Sequence, residues 1–421
     1  MKNYPYECGE QLSARGIAIL RLIPLLSPKD AAEARELLPP LVRKLYSRQA
    51  SDGGFSYFDG GKSDSWVSSM AGLFLSEASK EGIEVSDGVL RSWKRYQKRQ
   101  TQSFRSSAQN EYTALDEAFR LYTLAVAGDA EISSMNRLKE NGKIGDRARW
   151  MLASAFAVTG RTAPAKSVLE GIGKQFPEYT PDVLTTYGSS LRDRCIAIES
   201  LVRTGNVSEA VDLARESLPE RYMSTQESAF AAIAFSELYK SVGTAEKSLT
   251  STSVKADTTV VNTTGGPLYG TVVTVSREPV KKAESNGLRL EVKYTDEKGA
   301  DLNPSSIKQG TRFKAVVKVT NLLAGRALEQ IVLSMAIPSG WEILNDRLLT
   351  GSDAEGYDYK DIRDLRTDWF FALPEGRFKT FTLNLRAAYE GSFVLPAVTC
   401  SAMYEPSISA STVTGTAVVV K

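Results

Sequence analysis

The chain has 421 residues, a formal net charge of +2, three cysteines and no histidine. Its length predicts two or three domains, and its balanced charge gives no reason to expect nucleic acid or an anionic membrane as a partner. No apolar run reaches the ~18 residues that span a bilayer, the three cysteines make no disulfide framework, and the lack of histidine excludes a Ser-His-Asp triad, a Cys-His dyad and a His-ligated zinc site.

Further along this line, we expect no metal and no other cofactor, because three scattered cysteines do not make a metal site either. The first residues lack an apolar export signal, so the chain carries no export address of its own. We interpret Cys195 and Cys400 as small core residues.

The first element in chain order is a short reactive motif, Cys8-Gly9-Glu10-Gln11. If the Cys8 sulfur displaces ammonia from the Gln11 amide, an internal thioester forms. This thioester is an activated acyl group, because a thiol of pKa ~8.5 is a far better leaving group than an amide nitrogen. An attacking amine or water takes up the Gln11 acyl group and releases the thiol. The reaction runs once per molecule, so the protein is a stoichiometric reagent and not an enzyme.

The local sequence suits such a ring. Two residues separate Cys8 from Gln11, and Gly9 relaxes the backbone limits of a tight turn. Apolar residues from Leu12 onward read as a helix, which places the acyl group near a helix N-terminus. Backbone N–H groups there stabilise a developing oxyanion. The alternative is an ordinary helix start with a half-buried cysteine.

Residues 9–245 read as about eleven or twelve successive helices. Ser27 precedes Pro28 and has an acid three residues on, which is typical of a helix start. Thr159-Gly160 and Thr204-Gly205 each lie between two helical patterns and indicate turns of helix pairs. One helical face is apolar at Ile144, Ala148, Met151, Leu152, Ala155 and Phe156.

A glycine-rich segment, residues 49–58, interrupts these helices. Its Gln-x-x-x-Gly-Gly-Phe pattern is similar to the inter-hairpin loops of α/α-toroids, which include terpene cyclases, prenyltransferases and thioester domains. Gly53-Gly54 permits a tight bend and Phe55 fills the space between helices. We interpret the segment as architecture and not as a substrate site. The Asp-rich and zinc-ligand motifs that cyclases and prenyltransferases need are missing from the sequence.

From about residue 246 the composition changes to Ser, Thr and Val, which favours strands. Residues 287–421 predict an antiparallel β-sandwich, with an Asp/Arg run at residues 359–364 that is alternatively a solvated loop. The predicted strands are 288–292, 313–319, 331–337, 378–385, 393–404 and 413–420. The predicted fold class is therefore multidomain α plus β, with an N-terminal α/α-toroid of helical hairpins followed by an antiparallel β-sandwich.

Two distant parts of the chain resemble one family, the alpha-2-macroglobulin and complement superfamily and especially its bacterial branch. The first is Tyr4-Pro5-Tyr6-Glu7-Cys8-Gly9-Glu10-Gln11. The second comprises Tyr359 to Asp364, Phe370-Phe371, Leu385 to Ala387, Gly391 to Pro396 and Ala402 to Pro406. Glu7 stands where members usually have Gly and puts a charge beside the ring, and Gly9 follows the animal pattern.

The resemblance implies three domains. Residues 1–245 correspond to a thioester-containing toroid, and residues 286–421 to a C-terminal macroglobulin (receptor-binding-like) β-sandwich. Residues 246–285 correspond to the second half of a split CUB-like domain into which the toroid is inserted, although a β-rich linker is the alternative for this stretch. The motifs stand in family order at opposite ends of the chain.

The resemblance also implies roles for single residues. Cys8 and Gln11 form the thioester, and Tyr4 and Met403 match the residues that shield it in bacterial relatives. The alternative is that Tyr4 and Met403 each pack within their own domain. The residues that flank the thioester are Tyr6, Glu7, Gly9 and Glu10.

The implied function is that of the C-terminal portion of a broad-range protease inhibitor. In the family, cleavage of a bait segment uncovers the thioester, which captures a lysine of the attacking protease. Members without a capturing histidine react directly with amines, so lysine amines are the expected targets. Upstream macroglobulin domains are the expected further partners, and the periplasm or cell envelope is the expected location. The alternative function is a non-covalent protein-binding module with an inactive or hydrolysed motif.

Overall fold

The computed structural model describes residues 7–104, 111–141, 144–177, 186–217, 223–242, 279–344 and 356–421. They fall into two units, one within Met1–Ser253 and the other within Val254–Lys421. The first unit is helical and the second is formed by β-sheets, so the predicted fold class is confirmed. The predicted boundaries at 245 and 285 remain predictions, because residues 243–278 lie outside the described residues.

In its described residues the first unit contains twelve α-helices and a 3₁₀ turn at Ile23–Leu25. The helices are α1 (Gly9–Leu22), α2 (Pro28–Glu36), α3 (Leu38–Tyr46), α4 (Ser65–Lys80), α5 (Asp87–Ser103), α6 (Glu111–Val126), α7 (Ile132–Glu140), α8 (Asp146–Val158), α9 (Thr162–Val168), α10 (Ser190–Arg203), α11 (Val207–Arg215) and α12 (Thr225–Ser241).

Six of these helices form a closed ring, the helix ring. Around it, α1 packs on α4, α4 on α6, α6 on α8, α8 on α10, α10 on α12, and α12 returns to α1. Helices α3, α5, α7, α9 and α11 pack against the outside of the ring. Because an outer helix separates consecutive ring helices, all six run in one direction, and their first turns meet at one end.

The sequence sets the bounds of these helices through caps and turns. The Ser27 hydroxyl accepts a hydrogen bond from the backbone N–H of Asp30, as the start pattern predicted. Ser224 and Glu227 form a reciprocal capping box at the start of α12. Gly160 and Gly205 follow α8 and α10 with φ of 76° and 90°, a left-handed conformation that ends a helix and favours glycine. Both predicted turns are confirmed.

The second unit has thirteen strands in its described residues. They are β1 (Glu284–Asn286), β2 (Leu288–Asp296), β3 (Ile307–Lys308), β4 (Arg312–Asn321), β5 (Leu328–Ala336), β6 (Trp341–Ile343), β7 (Tyr359–Arg363), β8 (Arg366–Leu373), β9 (Phe378–Ala387), β10 (Gly391–Leu395), β11 (Thr399–Ala402), β12 (Glu405–Ser411) and β13 (Gly415–Val420).

These strands form three sheets, in the orders β1-β12-β11-β5-β8-β7, β2-β4-β9-β6 and β10-β13-β3. Every pairing is antiparallel except that of β13 with β3. Alternate residues of β4 point inward, and Phe313, Val317 and Val319 join the core.

Two predictions in the β-rich part were wrong. Residues 393–404 are two strands and not one, because Pro396 lies between them and has no N–H for a ladder hydrogen bond. The run at 359–364 is not a solvated loop, since β7 pairs with β8 and places Asp361 opposite Asp368. No helix in the described ranges is long and apolar enough to cross a membrane.

Candidate functional site

The reactive motif forms the first turn of α1. Cys8 is the N-cap residue, with φ −67° and ψ 166°, and the helix begins at Gly9. The backbone N–H of Cys8 donates to Oε1 of Gln11 over 3.2 Å, and the Cys8 sulfur accepts from the backbone N–H of Gln11. This reciprocal capping arrangement holds the thiol and the side-chain amide on the same side of one turn. The structure therefore brings together the two groups that a thioester would join.

This turn is buried. Cys8 is 1% exposed and Gln11 is 2% exposed. Burial raises the pKa of the Cys8 thiol to about 12, and the charge of Glu10 raises it further. Backbone N–H donors of Gln11 and Glu10, and the Arg48 cation, act in the opposite direction. A thiolate is therefore strongly disfavoured here, and sulfur in this site is stable only when it is uncharged.

The glycine-rich loop, residues 49–64, forms one wall of the site. The backbone N–H of Gly9 donates to the carbonyl oxygen of Tyr57 over 2.7 Å. A Cβ added at Gly9 would overlap the carbonyl oxygen of Ser56 and would lie 3.0 Å from Val67 Cγ1. Residue 9 must therefore be glycine for the loop to approach this closely. The interpretation of this loop as architecture alone was incomplete, since it also packs on the reactive turn.

The loop is held in place by its own buried contacts. Phe55 is fully buried, and its backbone N–H donates to the Ser68 hydroxyl over 2.7 Å. The N–H of Asp64 donates to the carbonyl of Phe55 over 2.8 Å, just before α4 begins. Gly53 has φ 96°, which the bend requires. The wall beside Gly9 is thus fixed to α4 of the helix ring.

Two tyrosines that sequence reasoning missed lie at this wall. The rings of Tyr57 and Tyr187 meet edge to face, with centroids 6.3 Å apart and planes at 86°. Tyr187 has φ 44°, which is unfavourable for a bulky side chain and occurs where surroundings impose it. No signal in the sequence links Tyr57 with Tyr187, because the contact depends on ring closure.

The Tyr57 hydroxyl is surrounded by titratable groups. Burial raises its pKa well above the ordinary value, and the charges of Asp64, Tyr187, Cys8 and Glu10 raise it further. The phenol is therefore protonated at neutral pH and lies within electrostatic range of the Cys8 sulfur.

Helix α12 completes the site from the other side. Oε2 of the fully buried Glu10 accepts a hydrogen bond from the Thr225 hydroxyl over 3.0 Å. This bond joins the first turns of α1 and α12, where the helix ring closes. Glu10 is thus a buried anchor of the reactive turn and not a solvent-facing flank.

Glu7 directs its charge away from the reactive turn. Both carboxylate oxygens of Glu7 lie 2.6 Å from Lys44 Nζ, and its carbonyl oxygen accepts from Arg48 Nη2 over 3.2 Å. Lys44 is on α3, outside the helix ring. The charge that replaces the family's usual glycine is therefore neutralised at the surface.

The other predicted site residues are not brought together here. Tyr4 and Tyr6 lie outside the described residues. Met403 follows β11 in the second unit, is buried, and donates its backbone N–H to Gln330 over 3.0 Å. The shielding role of Tyr4 and Met403 stays a prediction. Cys195 and Cys400 are buried thiols within the two cores, so their interpretation as core residues is confirmed.

Comparison with known proteins identifies relatives of both units. Residues 287–407 match the sequence model of the bacterial alpha-2-macroglobulin MG10 domain. The chain is 24% identical to an alpha-2-macroglobulin of Xylella fastidiosa, over 96% of this chain and 28% of that protein. It is 22% identical to an alpha-2-macroglobulin homolog of Yersinia pestis, over 98% of this chain and 24% of that protein. The chain thus spans about a quarter of the length of these relatives.

Solved structures share the fold. Salmonella alpha-2-macroglobulin reacted with methylamine matches all of this chain with a TM-score of 0.77 at 19% identity, over 30% of its own length. Native Escherichia coli alpha-2-macroglobulin, from domain MG7 to the C-terminus, also gives a TM-score of 0.77, at 16% identity and over 74% of its length.

Proposed function

This chain is a homologue of the C-terminal part of bacterial alpha-2-macroglobulins, a family of protease inhibitors, and from that premise we propose that it captures proteases covalently through a Cys8–Gln11 thioester. The observation that carries the proposal is the buried first turn of α1, where the Cys8 thiol and the Gln11 amide face each other. The chemistry is single-turnover acyl transfer.

In the proposed reaction, a lysine amine of the protease attacks Cδ of Gln11. A new C–N bond forms, the bond to the Cys8 sulfur breaks, and the protease remains attached through an amide. The chain has no histidine to take up the acyl group first, so the amine attacks directly. The N–H of Cys8 already donates to the Gln11 side-chain oxygen, which supplies a donor where negative charge develops.

The same proposal includes protection before use. Burial keeps water from the acyl carbon, and an uncharged sulfur is the only stable form in this site. We include Tyr4 and Met403 as further shields, because they match the shielding positions of bacterial relatives. Bait cleavage, the participation of upstream macroglobulin domains and a location in the periplasm or cell envelope belong to the proposal as well.

Intact mass spectrometry with methylamine tests the chemistry. We expect the purified chain to weigh one ammonia less than its encoded sequence. Methylamine should then release one thiol and attach to Gln11. The Salmonella relative was crystallised after reaction with methylamine, which makes this amine a suitable probe.

The matched control is the second buried thiol of the helical unit. Cys8→Ala should abolish both the ammonia loss and the methylamine adduct, whereas Cys195→Ala should keep both. A wild-type chain at its full encoded mass, with an unmodified Gln11, contradicts the proposal. Unchanged partner binding by Cys8→Ala would instead support a non-covalent binding module.

A further inference from the structure

Cleavage of the thioester requires a proton at the sulfur. Burial raises the pKa of the Cys8 thiol to about 12, so a departing thiolate would be strongly basic while it stays buried. The attacking amine has the opposite requirement, because its nitrogen must lose a proton to become a neutral amide. Histidine commonly moves such protons in proteins, but the chain contains none. Another side chain at the site must therefore perform the transfer, or the step proceeds without help.

The loop wall places a phenol next to this sulfur. The 2.7 Å hydrogen bond from Gly9 to the Tyr57 carbonyl fixes the backbone of residue 57 against the residue that follows Cys8. The missing Cβ of Gly9 is what allows this approach, since the Ser56 carbonyl occupies its position. The edge-to-face contact with Tyr187 holds the Tyr57 ring from its other side.

We propose that the Tyr57 hydroxyl carries the proton during acyl transfer. It gives its own proton to the Cys8 sulfur as the bond from Gln11 Cδ to sulfur breaks, and it takes a proton from the attacking amine nitrogen as the C–N bond forms. The electron pair of the broken bond stays on sulfur, nothing is oxidised or reduced, and the phenol is restored. This inference rests on the proposed thioester chemistry.

The neighbouring groups are less suited to this step. The groups that face the Tyr57 hydroxyl are Cys8 and Glu10 of α1, Asp64 of the loop and Tyr187 before α10. Glu10 is engaged by the Thr225 hydroxyl, and Asp64 accepts from the N–H of Val67 as the N-cap of α4. A buried phenol is protonated at neutral pH and can both donate and accept.

The substitution Tyr57→Phe separates the hydroxyl from the ring that covers the site. We expect intact mass to show that the variant still forms the thioester, because the aromatic ring is kept. Its thiol release by methylamine should be slower than in the wild type by a factor of at least ~10, since general acid–base catalysis typically contributes ~10²–10⁴-fold. Tyr389→Phe is the control, because Tyr389 is 60% exposed in the second unit, and it should react at the wild-type rate.

A second measurement uses the unchanged chain. Two protons move together in the proposed step, so the methylamine rate should depend on the D₂O fraction along a curve. A straight line, or a Tyr57→Phe variant that reacts at the wild-type rate, overturns the role of Tyr57 alone. A wild-type chain without ammonia loss overturns the thioester and this inference together.

Discussion

The two ends of the helix ring bury polar groups in different ways. At the end where the helices begin, Cys8 and Gln11 are uncharged groups held by backbone hydrogen bonds. At the end where the helices finish, charged side chains of α1, α4, α10 and α12 surround a cavity of about 250 Å³. The comparison shows what each kind of burial requires.

At the finishing end, every central charge has a partner. Arg21 pairs with Glu77 and, over 2.6 Å, with Glu237. Arg203 pairs with Glu199 over 2.7 Å and with Glu237 over 3.5 Å. Burial alone would raise the pKa of Glu237, but Arg203, Arg21 and Lys240 together lower it. Pairing therefore keeps these carboxylates and guanidinium groups ionised inside the fold.

At the starting end, burial acts on a thiol and keeps it uncharged. The Arg48 cation lowers the pKa of Cys8, but burial and Glu10 outweigh it. The difference teaches that this ring can stabilise charge where it needs charge. The reactive end is instead suited to neutral sulfur, which is the state that a thioester has.

The largest stability effect should come from the charged end. Arg21→Leu leaves Glu77 and Glu237 without their main cation and should lower the free energy of unfolding by about 3 kcal/mol. Urea unfolding measures this. The exposed pair of Arg215 and Asp212 provides the control, and Arg215→Leu should change stability by less than ~1 kcal/mol. If Arg21→Leu also abolished the ammonia loss while the chain stayed folded, the two ends would not be independent.

A smaller effect is expected for Gly9→Ala at the reactive end. The added methyl group overlaps the Ser56 carbonyl, so the loop must move, at a cost of about 1–3 kcal/mol. The displaced loop should admit water, and the ammonia-deficient form should hydrolyse faster, as followed by mass. Gly88→Ala is the control, since its Cβ would meet only the Ser86 hydroxyl at 3.5 Å. Equal hydrolysis rates in both variants would show that the loop does not protect the site.

The pH dependence of stability tests the acid at the loop's end. Burial raises the pKa of Asp64 to about 6, against the N–H donor of Val67. The folded state then binds a proton more tightly than the unfolded state, so stability falls as the pH rises from about 4 to about 6. The slope is at most about 1.4 kcal/mol per pH unit. Asp64→Asn keeps a capping oxygen and should lose this slope in urea titrations; a slope that persists would assign it to another group.

The smallest effect is expected for Glu7→Gly, which restores the residue usual in the family. Its partner Lys44 is 48% exposed, so the pair should contribute less than ~1 kcal/mol. The ammonia loss should be unchanged in intact mass. A marked rise in hydrolysis resistance would show that the Glu7 charge does reach the ring.

Sequence reasoning succeeded where the determinants are local. The pairing of Cys8 with Gln11 spans three residues, and the Ser27 cap also spans three. Helical periodicity was enough to predict the alternating helices of the ring. The split of residues 393–404 was missed because apolar and polar residues continue their strand pattern through the break.

The remaining site residues could not be predicted for a physical reason. Thr225 reaches Glu10 across 215 positions, and Tyr57 reaches Tyr187 through helices that lie between them in the chain. Which side chains meet depends on how six helices close a ring, and hydrophobic patterns do not encode that choice. Gly9 was seen as a turn residue, whereas the structure shows that it admits the loop.

The closure of α12 onto α1 also sets an order of events during biosynthesis. The reactive motif leaves the ribosome near the start of this chain, and the helix that anchors Glu10 ends only at Ser241. Until that helix is complete, an activated acyl group would stand in water without its last wall. Loss of ammonia therefore serves as a chemical timestamp of maturation, because a sheltered ring records that the final helix has docked.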